Sequence, residues 1–486
     1  MRVTDASLTQ DEKGSVKRAL ILAGGGVRLA YQAGVLKALE EQGLRFDHID
    51  GTSGGIFNTA MLACGLSPDE IAERWRKLKL AHFMSVNFPR ESFKINIRMG
   101  LGDADGIREK IFPALGIDVE KLRNNRDVVA TFNVCNFSDK SIESIPHSEV
   151  TEDHLIAGVS LPIFMPAIKI NNDWYSDAVW IKDANLVEAV KRGAEELWLV
   201  WAIGNDTEYQ PGAFNQYVHM IEMSANGGLL EEYAQIKCIN ERIMKGDSPY
   251  GQKNPVKLHV IKPEFPLPLD PDLFFNKIDT STLINTGYAD AKRYLDAVPE
   301  DGIAFDRNAT KMRNPGVTLN FRQHFSGNLK FDGKDTFVSY APSFNFRRWD
   351  DDFALYVHSS IYIESLGREI CTAKNKAVLK NDPEGRSISV SSEFVNNGDH
   401  YLLEAEIMLG TPLDWMTGLA FKTVKLRVSL IQNGGESILL NGRLTQNIRK
   451  RLKAILNTNI RNFQHAGWKL KEKWAMISKL LYLGRS

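Results

Sequence analysis

One short stretch of this sequence combines a nucleophile with the backbone freedom that a catalytic turn requires. Gly51-Thr52-Ser53-Gly54-Gly55 is a Gly-x-Ser-x-Gly pentapeptide, and the apolar run 56–63 that follows it is typical of a buried helix. Glycines beside a serine permit a sharp strand-to-helix turn and a close approach of neighbouring chain. The hydroxyl of Ser53 would then stand at a helix N-terminus, where free N–H groups favour developing negative charge. The pattern predicts a nucleophilic serine on an elbow framed by Gly51 and Gly55.

Acyl transfer needs a base and oxyanion donors as well as a nucleophile. Gly24-Gly25-Gly26 offers consecutive backbone N–H groups that can point at an oxyanion, and Arg28 adds a fixed charge that could orient the loop or hold a head group. Asp177 ends a predicted hairpin, 169–178, and is the candidate base. A glycine loop alone can simply turn a chain, and an aspartate alone can simply cap a turn. Their occurrence together, in this order, favours a catalytic site.

The predicted elements that must position these residues alternate between strands and helices. The predicted elements are a strand at 19–22, a helix over 30–42, a strand before Ser53, a helix over 56–63, strands at 128–134, 196–203 and 256–261, and a closing helix that contains 290–295. Ser67-Pro68-Asp69-Glu70 is a capping box with proline at the first helical position, so it predicts a further helix start. The mixed stretch 80–125 fits either a lid over a lipid or an α-helical insertion. This alternation predicts a parallel α/β sheet.

Beyond about residue 300 the hydrophobic pattern changes to period two. Apolar residues alternate with polar ones in four runs, at 317–321, 353–363, 403–409 and 424–430. Such alternation is typical of half-buried antiparallel strands and predicts a second, β-rich domain. We therefore divide the chain into a polar N-terminal segment (1–17), an α/β domain (18–305), a β-rich domain (306–440) and a C-terminal tail (441–486).

The C-terminal tail is basic and amphipathic. Residues 441–486 contain eleven Lys or Arg and one acid, Glu472. Two apolar stripes have helical spacing; they are Ile448, Leu452, Ile455, Leu456, Ile460 and Phe463, and then Leu470, Trp474, Ile477 and Leu481. A basic amphipathic helix with tryptophan suits the surface of an anionic membrane, so peripheral membrane contact through 441–486 is one interpretation. The alternative is that these stripes pack on the protein itself.

Composition excludes several classes of protein. Lys plus Arg and Asp plus Glu number 60 each, so overall charge indicates no nucleic-acid partner. The four cysteines are scattered without a Cys-x-x-Cys pair, which favours a reducing compartment and disfavours a zinc site. The first apolar run, 19–23, is too short for a signal-peptide core, and no run reaches the roughly 18 apolar residues of a membrane span. We expect a cytoplasmic protein, peripheral to a membrane if the tail binds one.

The three candidate site segments resemble the signatures of the patatin-like phospholipase family. The matching segments are Gly24-Gly25-Gly26-Val27-Arg28, Gly51-Thr52-Ser53-Gly54-Gly55, Asp177-Ala178, and the run Ser160-Leu161-Pro162 that precedes the aspartate. The resemblance spans roughly residues 18–300 and implies a three-layer α/β/α domain that hydrolyses the acyl esters of phospholipids or related lipids. It implies that Ser53 attacks the ester, Asp177 takes its proton and the glycine loop stabilises the oxyanion, with no metal or cofactor. The family usually has glycine where this sequence has Ala178.

The β-rich part carries a weaker likeness. His400-Tyr401-Leu402-Leu403-Glu404 is similar to a segment of bacterial cholesterol-oxidase-type proteins, without a flavin signature. That similarity implies a lipid-related accessory role.

Other classes of function compete with the hydrolase interpretation. A dinucleotide site would use Gly24-x-Gly26, but Leu29 stands where the fingerprint needs Gly or Ala. A Ser-His-Asp esterase would need His147, His154 or His219 as its base, although 52 residues before Ser53 is short for the usual α/β-hydrolase order. A third possibility is a membrane-binding or signalling module whose hydrolase activity is gated or lost, in which the β-rich domain senses a ligand or partner.

Overall fold

The computed structural model describes residues 17–78, 104–162, 165–204, 209, 212–267, 279–382, 385–410, 421–432, 435–447, 449–451, 454, 457–461 and 469–482. Most of the expected lid or insertion, residues 80–103, lies outside these ranges. The chain divides into two compact units. One comprises Met1–Phe274 and Tyr294–Asn314, and the other comprises Phe275–Arg293 and Pro315–Ser486.

The first unit is built on an eight-stranded sheet with a parallel centre. Its strands are β1 (Arg18–Leu22), β2 (His48–Thr52), β3 (Ala130–Asn136), β4 (Ser141–Pro146), β5 (Ile168–Ile170), β6 (Asp173–Asp177), β7 (Glu196–Val200) and β8 (Lys257–Ile261). The order is β5-β6-β3-β2-β1-β7-β8, and β4 pairs with β3. Strands β3, β2, β1, β7 and β8 run parallel, while β4, β5 and β6 add antiparallel pairs. The predicted α/β class is confirmed.

Strands β2 and β6 share one edge of β3, which brings their ends together. Strand β2 pairs with β3 up to Thr52, opposite Asn133. Strand β6 pairs with β3 from the next position, where Asp177 is opposite Val134. Because β4 pairs with β3 across both stretches, β4 occupies the other edge. The antiparallel β6 therefore ends where the parallel β2 ends.

Helices cover both faces of this sheet. The helices of this unit are α1 (Ala30–Glu41), α2 (Gly55–Ala63), α3 (Pro68–Lys77), α4 (Ala104–Gly106), a π-helix (Ile107–Ile111), α5 (Phe112–Leu115), α6 (Val119–Asn124), α7 (Glu152–Ala157), α8 (Leu186–Lys191) and α9 (Ala213–Met244). A further helix, α10 (Thr280–Leu295), belongs to the second unit up to Arg293. Successive residues of a strand point to opposite faces. Ile21 and Leu199 share a core cluster with residues of α8 and α9. On the other face, Trp198 stacks on His259 and meets the ring of Tyr294.

The predicted capping box is present. The Ser67 side chain accepts the N–H of Glu70, the Glu70 side chain accepts the N–H of Ser67, and Pro68 is the first residue of α3. The 32-residue helix α9 has no counterpart among the predicted elements. Its central Gly227-Gly228 pair has low helix propensity, so the sequence does not predict a helix here. A Cβ at Gly228 would lie 2.6 Å from the carbonyl of Ile181, so this glycine allows α9 to approach the chain that follows Asp177.

The second unit is an antiparallel β structure, as the period-two pattern predicts. Its strands are β9 (Val317–Arg322), β10 (Phe325–Phe331), β11 (Lys334–Trp349), β12 (Asp352–Ile363), β13 (Glu369–Cys371), β14 (Ala373–Asp382), β15 (Gly385–Asn396), β16 (Asp399–Met408), β17 (Thr423–Gln432), β18 (Gly435–Thr445) and β19 (Asn459–Arg461). They follow the order β13-β12-β11-β10-β18-β17-β16-β15-β14, with β9 between β11 and β19. The alternate apolar side chains, such as Leu403 and Leu426, fill one core.

The C-terminal tail is helical in part, and its helix packs on the protein. The second predicted stripe forms α11 (Lys469–Tyr482), whose Ile477 and Leu481 are buried in the β-rich core. The first stripe is not one continuous helix. Ile460 lies in β19, where it pairs with β9, because its extended backbone completes the sheet edge. Residues 441–445, which the sequence analysis assigns to the tail, form the end of β18. No helix among the described residues is long and apolar enough to span a membrane.

Candidate active site

Ser53 occupies the turn between β2 and α2. Its φ of +50° is the left-handed conformation, which residues with a Cβ rarely adopt and which stores strain at functional sites. Gly51 lies in β2 and Gly55 begins α2, so the elbow that the pentapeptide predicts is formed. The carbonyl of Ser53 accepts the N–H of Ile56, and the first turn of α2 starts directly behind the side chain. Ser53 is buried, with 8% of the residue exposed.

The side chains of Ser53 and Asp177 are hydrogen-bonded. Ser53 Oγ donates to Asp177 Oδ2 at 2.7 Å, and the N–H of Val179 donates to Asp177 Oδ1 at 2.9 Å. The carboxyl group is 1% exposed. Burial raises the pKa of Asp177 to about 7, although both hydrogen bonds oppose the rise. A carboxyl group with that pKa can exchange a proton with a serine hydroxyl near neutral pH.

The glycine loop follows β1 and faces Ser53. A Cβ at Gly24 would lie 2.7 Å from the Cβ of Ser53, so only glycine fits beside the elbow. Gly25 is buried and Gly26 is exposed. Arg28 Nε donates to the carbonyl of Gly25 at 2.8 Å, so the guanidinium holds the loop in shape. The N–H of Gly24 donates to Asp183 Oδ2 at 3.0 Å, so this amide of the loop is already hydrogen-bonded.

Asp183 is a site residue that the sequence analysis did not identify. It is 1% exposed, and its Oδ1 atom has no hydrogen-bond partner among the described residues. Burial, and then the nearby charge of Asp177, raise the pKa of Asp183 well above its usual range, while the Gly24 N–H and Arg28 oppose the rise. Burial therefore favours the neutral form of Asp183, which lies against the glycine loop.

A buried polar chain fixes the two ends of the glycine loop. Gln32 Nε2 donates to the carbonyl of Ala23 at 2.6 Å, just before the loop. Asn58 Nδ2 donates to the carbonyl of Leu29 at 3.1 Å, just after it, and to Gln32 Oε1 at 2.8 Å. Trp75 Nε1 donates to Asn58 Oδ1 at 2.8 Å. Since these side chains are fully buried, each lost bond would leave an unpaired polar group.

A second buried network lies beneath the elbow. Asp50 accepts hydrogen bonds from Thr131 Oγ1 at 2.5 Å and from Asn133 Nδ2 at 2.6 Å. Asn133 Nδ2 also donates to Thr52 Oγ1, and Asn185 Nδ2 donates to Asn133 Oδ1. Burial raises the pKa of Asp50 to about 7, although both hydrogen bonds oppose the rise. The network connects the strand before Ser53 to the segment after Asp177.

Helix α9 holds the segment between Asp177 and α8. Ser224 Oγ donates to the carbonyl of Trp180 at 2.7 Å. The fully buried Glu232 carboxylate pairs with Lys182 at 2.5 Å and accepts the N–H of Val187 at 2.7 Å. Both contacts flank Asp183, so α9 positions that carboxyl group as well as Asp177.

The three histidines proposed as alternative bases have partners elsewhere. His147 Nε2 lies 3.2 Å from the carbonyl of Asn125, and His154 Nδ1 lies 2.9 Å from Thr151 Oγ1 in the cap of α7. His219 lies 3.5 Å from Glu222 on α9. The hydroxyl of Ser53 has its hydrogen bond with Asp177 instead.

Tertiary structure thus brings together Ser53, Asp177, Arg28 and the glycine loop. Sequence reasoning missed Asp183 and the two buried networks. Asp183 is six positions after Asp177, and a second acid so close to the candidate base was the available signal. The sequence did not indicate the two networks, because Asn, Gln and Thr are common within apolar segments and do not by themselves predict buried hydrogen bonds.

Part of the chain is similar to known lipid hydrolases. Residues 20–190 match the family model described as patatin-like phospholipase. The chain is 57% identical over 44 residues to lysophospholipase nte1 of Aspergillus terreus, covering 9% of this chain and 3% of that protein. It is 25% identical over 189 residues to lysophospholipase NTE1 of Kluyveromyces lactis, covering 37% of this chain and 12% of that protein. The chain therefore matches only a small part of the length of these relatives.

A solved structure, that of VipD from Legionella pneumophila, aligns with 61% of this chain and 70% of its own at 12% identity and a TM-score of 0.34. That score is too low to establish a shared overall fold. The family match covers Ser53, Asp177, Asp183 and the glycine loop. Residues 20–190 of this chain form a domain of the patatin-like phospholipase family.

Proposed function

We propose that this protein is a serine lipid acyl hydrolase of the phospholipase A or lysophospholipase type. The observation that carries the proposal is the 2.7 Å hydrogen bond from the strained, buried Ser53 to the buried carboxyl group of Asp177. The family match and the lysophospholipase relatives support an acyl lipid as the substrate.

The proposed reaction has two stages. Ser53 Oγ attacks the carbonyl carbon of the lipid ester as its proton passes to Asp177, and the N–H groups of Gly25 and Gly26 stabilise the oxyanion. The C–O bond to the leaving alcohol breaks, and Asp177 returns its proton to that oxygen. Water then attacks the acyl-enzyme, Asp177 takes a proton from the water, and the fatty acid departs as Ser53 regains its hydrogen.

An exposed aromatic pair supports an approach of this site to a lipid surface. Phe137 and Trp174 are 53% and 46% exposed, at the end of β3 and on β6. The N–H of Phe137 donates to the carbonyl of Trp174, and Lys140 lies over the Phe137 ring at 3.6 Å. Exposed aromatics beside a lysine suit the boundary between water and lipid. Trp174 lies three residues before Asp177 on β6.

A fluorophosphonate probe and a soluble p-nitrophenyl ester test the dyad. Wild type should be labelled and should turn over the ester, whereas Ser53→Ala should do neither. Asp177→Asn keeps the shape of the side chain but not its basicity, so it should lose nearly all turnover while its melting temperature shows a folded protein. Asp173→Asn, on the same strand, is the matched control and should be fully active. Normal turnover by Asp177→Asn would reject the dyad, and an unlabelled wild type that still binds vesicles would favour a binding module.

A further inference from the structure

The second unit contains a polar cavity of about 350 Å³. Its walls come from the start of α10, the β9–β10 turn, the middle of β11, the end of β12, the start of β13 and the segment after β18. Hydroxyl, carboxamide and charged side chains predominate there, among them Thr282, Ser343, Ser360 and Tyr362. The volume is at the lower end of the range of small-molecule sites, and the lining is far more polar than is usual for them.

Three buried carboxamides line this cavity without a protein partner for their oxygen atoms. Asn285, Gln323 and Gln446 are 1%, 4% and 4% exposed. Asn285 Oδ1, Gln323 Oε1 and Gln446 Oε1 have no hydrogen-bond partner among the described residues. Buried polar groups in folded proteins are nearly always paired, so three such oxygens around one cavity indicate a ligand that donates hydrogen bonds. Hydroxyl groups are the matching donors.

The charged groups of the cavity differ in how they are compensated. Arg322 forms an ion pair with Asp279, and Glu369 accepts a hydrogen bond from Ser360. Lys450 Nζ lies 2.9 Å from His324 Nδ1, and no carboxylate lies within ion-pair distance of it among the described residues. With Nδ1 accepting from the ammonium group, His324 presents Nε2–H as a further donor. Lys450 and His324 together form an anchor for an anion.

We propose that this cavity binds a small phosphorylated polyol, with phosphate oxygens on Lys450 and His324 and hydroxyl groups on the three carboxamides. A lysine ammonium is a common phosphate ligand. The hydroxyl groups of a polyol can donate hydrogen bonds to the amide oxygens that have no protein donor. The same chemistry occurs in a free polyol phosphate and in the headgroup of an inositol lipid. The proposal does not depend on the hydrolase activity, because its residues belong to the other unit.

Calorimetric titration of the full-length Ser53→Ala variant tests the proposal without interference from turnover. The probes are inositol 1-phosphate, glycerol 3-phosphate, glucose 6-phosphate, inorganic phosphate and unphosphorylated inositol. At least one polyol phosphate should bind at one site per chain, tenfold or more tighter than both inorganic phosphate and inositol. If no polyol phosphate binds, the proposal is wrong; if inositol binds as tightly as its phosphate, the anion anchor is wrong.

Variants assign the site. Lys450→Gln should weaken binding at least tenfold, whereas Lys330→Gln, an exposed lysine on β10, should leave it unchanged. Gln446→Leu should abolish binding without lowering the melting temperature of the unliganded protein, because the buried amide that it removes has an unpaired oxygen. Unchanged binding in both Lys450→Gln and Gln446→Leu would overturn the proposed location. Flotation with vesicles containing phosphatidylinositol, sensitive to Lys450→Gln, would identify a lipid headgroup as the source, and binding of soluble phosphates alone would identify a free metabolite.

Discussion

Asp183 accepts the backbone N–H of Gly24 at 3.0 Å, although 159 positions separate the two residues. The contact is buried, and it fixes the first residue of the glycine loop against the segment that carries Asp177. Asp183 thus connects the base segment to the proposed oxyanion loop. Burial raises the pKa of Asp183, which favours its protonated form and so disfavours a second negative charge beside Asp177.

Substitutions of Asp183 should separate its shape from its charge. Asp183→Ala removes the acceptor for the Gly24 N–H and should lower kcat on a soluble ester by about a factor of 100, with KM nearly unchanged, because the oxyanion donors lose their position. Asp183→Asn keeps an acceptor oxygen for the Gly24 N–H and should retain most of the activity. A loss in Asp183→Asn as large as in Asp183→Ala would mean that the carboxyl group itself is needed.

The raised pKa of Asp177 predicts an acid limb in the rate profile. The base must be deprotonated, so kcat/KM should fall about tenfold per pH unit below pH 7. Rates of a soluble ester between pH 5 and pH 9 measure this limb. A midpoint near pH 4 would mean that Asp177 is not the titrating base.

The same shift has a consequence for stability. Between the usual pKa of 3.8 and about 7, folded Asp177 holds a proton that the unfolded chain has released. Stability should therefore decrease as pH rises through this window. Asp177→Asn should make the decrease smaller but should not remove it, because Asp50 is shifted in the same direction to about 7. Denaturant unfolding at pH 5 and pH 7 measures the free energy of unfolding of wild type and Asp177→Asn. If this free energy changes between the two pH values by the same amount in both proteins, the raised pKa does not belong to Asp177.

Asn58 should affect both stability and catalysis. Asn58→Ala leaves the carbonyl of Leu29 and the indole N–H of Trp75 unpaired, so the free energy of unfolding should fall by about 3 kcal/mol. Because Leu29 ends the loop, kcat should also fall, by about tenfold. Ser67→Ala is the control; it removes the cap of α3, costs about 1 kcal/mol and should leave kcat unchanged. Equal kcat in the two variants would make the Asn58 network purely structural.

The exposed aromatic pair should matter only for substrate held in a membrane. Replacing both Phe137 and Trp174 by serine should raise the apparent KM for vesicle substrate by about tenfold, because it removes apolar area that enters the lipid boundary. Hydrolysis of a soluble ester should change less than twofold. Phe337→Ser, an exposed aromatic on β11, is the matched control. Similar losses on both substrates would place the pair in the catalytic site instead of at a membrane surface.

The C-terminal tail illustrates where sequence periodicity is ambiguous. Its stripe of Leu470, Trp474, Ile477 and Leu481 gives a helix correctly, but an apolar helical face fits a membrane and a protein core equally well. The structure shows that Ile477 and Leu481 of this helix are buried in the β-rich core. Likewise, Ile460 has helical spacing with its neighbours but completes a sheet edge beside β9, a partner about 140 residues earlier.

The local signals of this sequence were sufficient for the class of fold and for proposing Ser53 as the nucleophile. Glycines around Ser53, a glycine loop after a strand and a change of hydrophobic period are short-range features, and each follows from the steric and solvation preferences of neighbouring residues. The meeting of Ser53 with Asp177 was decided by the tertiary structure, because β2 and β6 end at adjacent positions on one edge of β3. The burial of Asp183, the polar chain through Asn58 and the three unpaired carboxamides were decided there too. Burial and the hydrogen-bond partner of a polar side chain depend on residues distant in the chain, and residue type and spacing do not encode them.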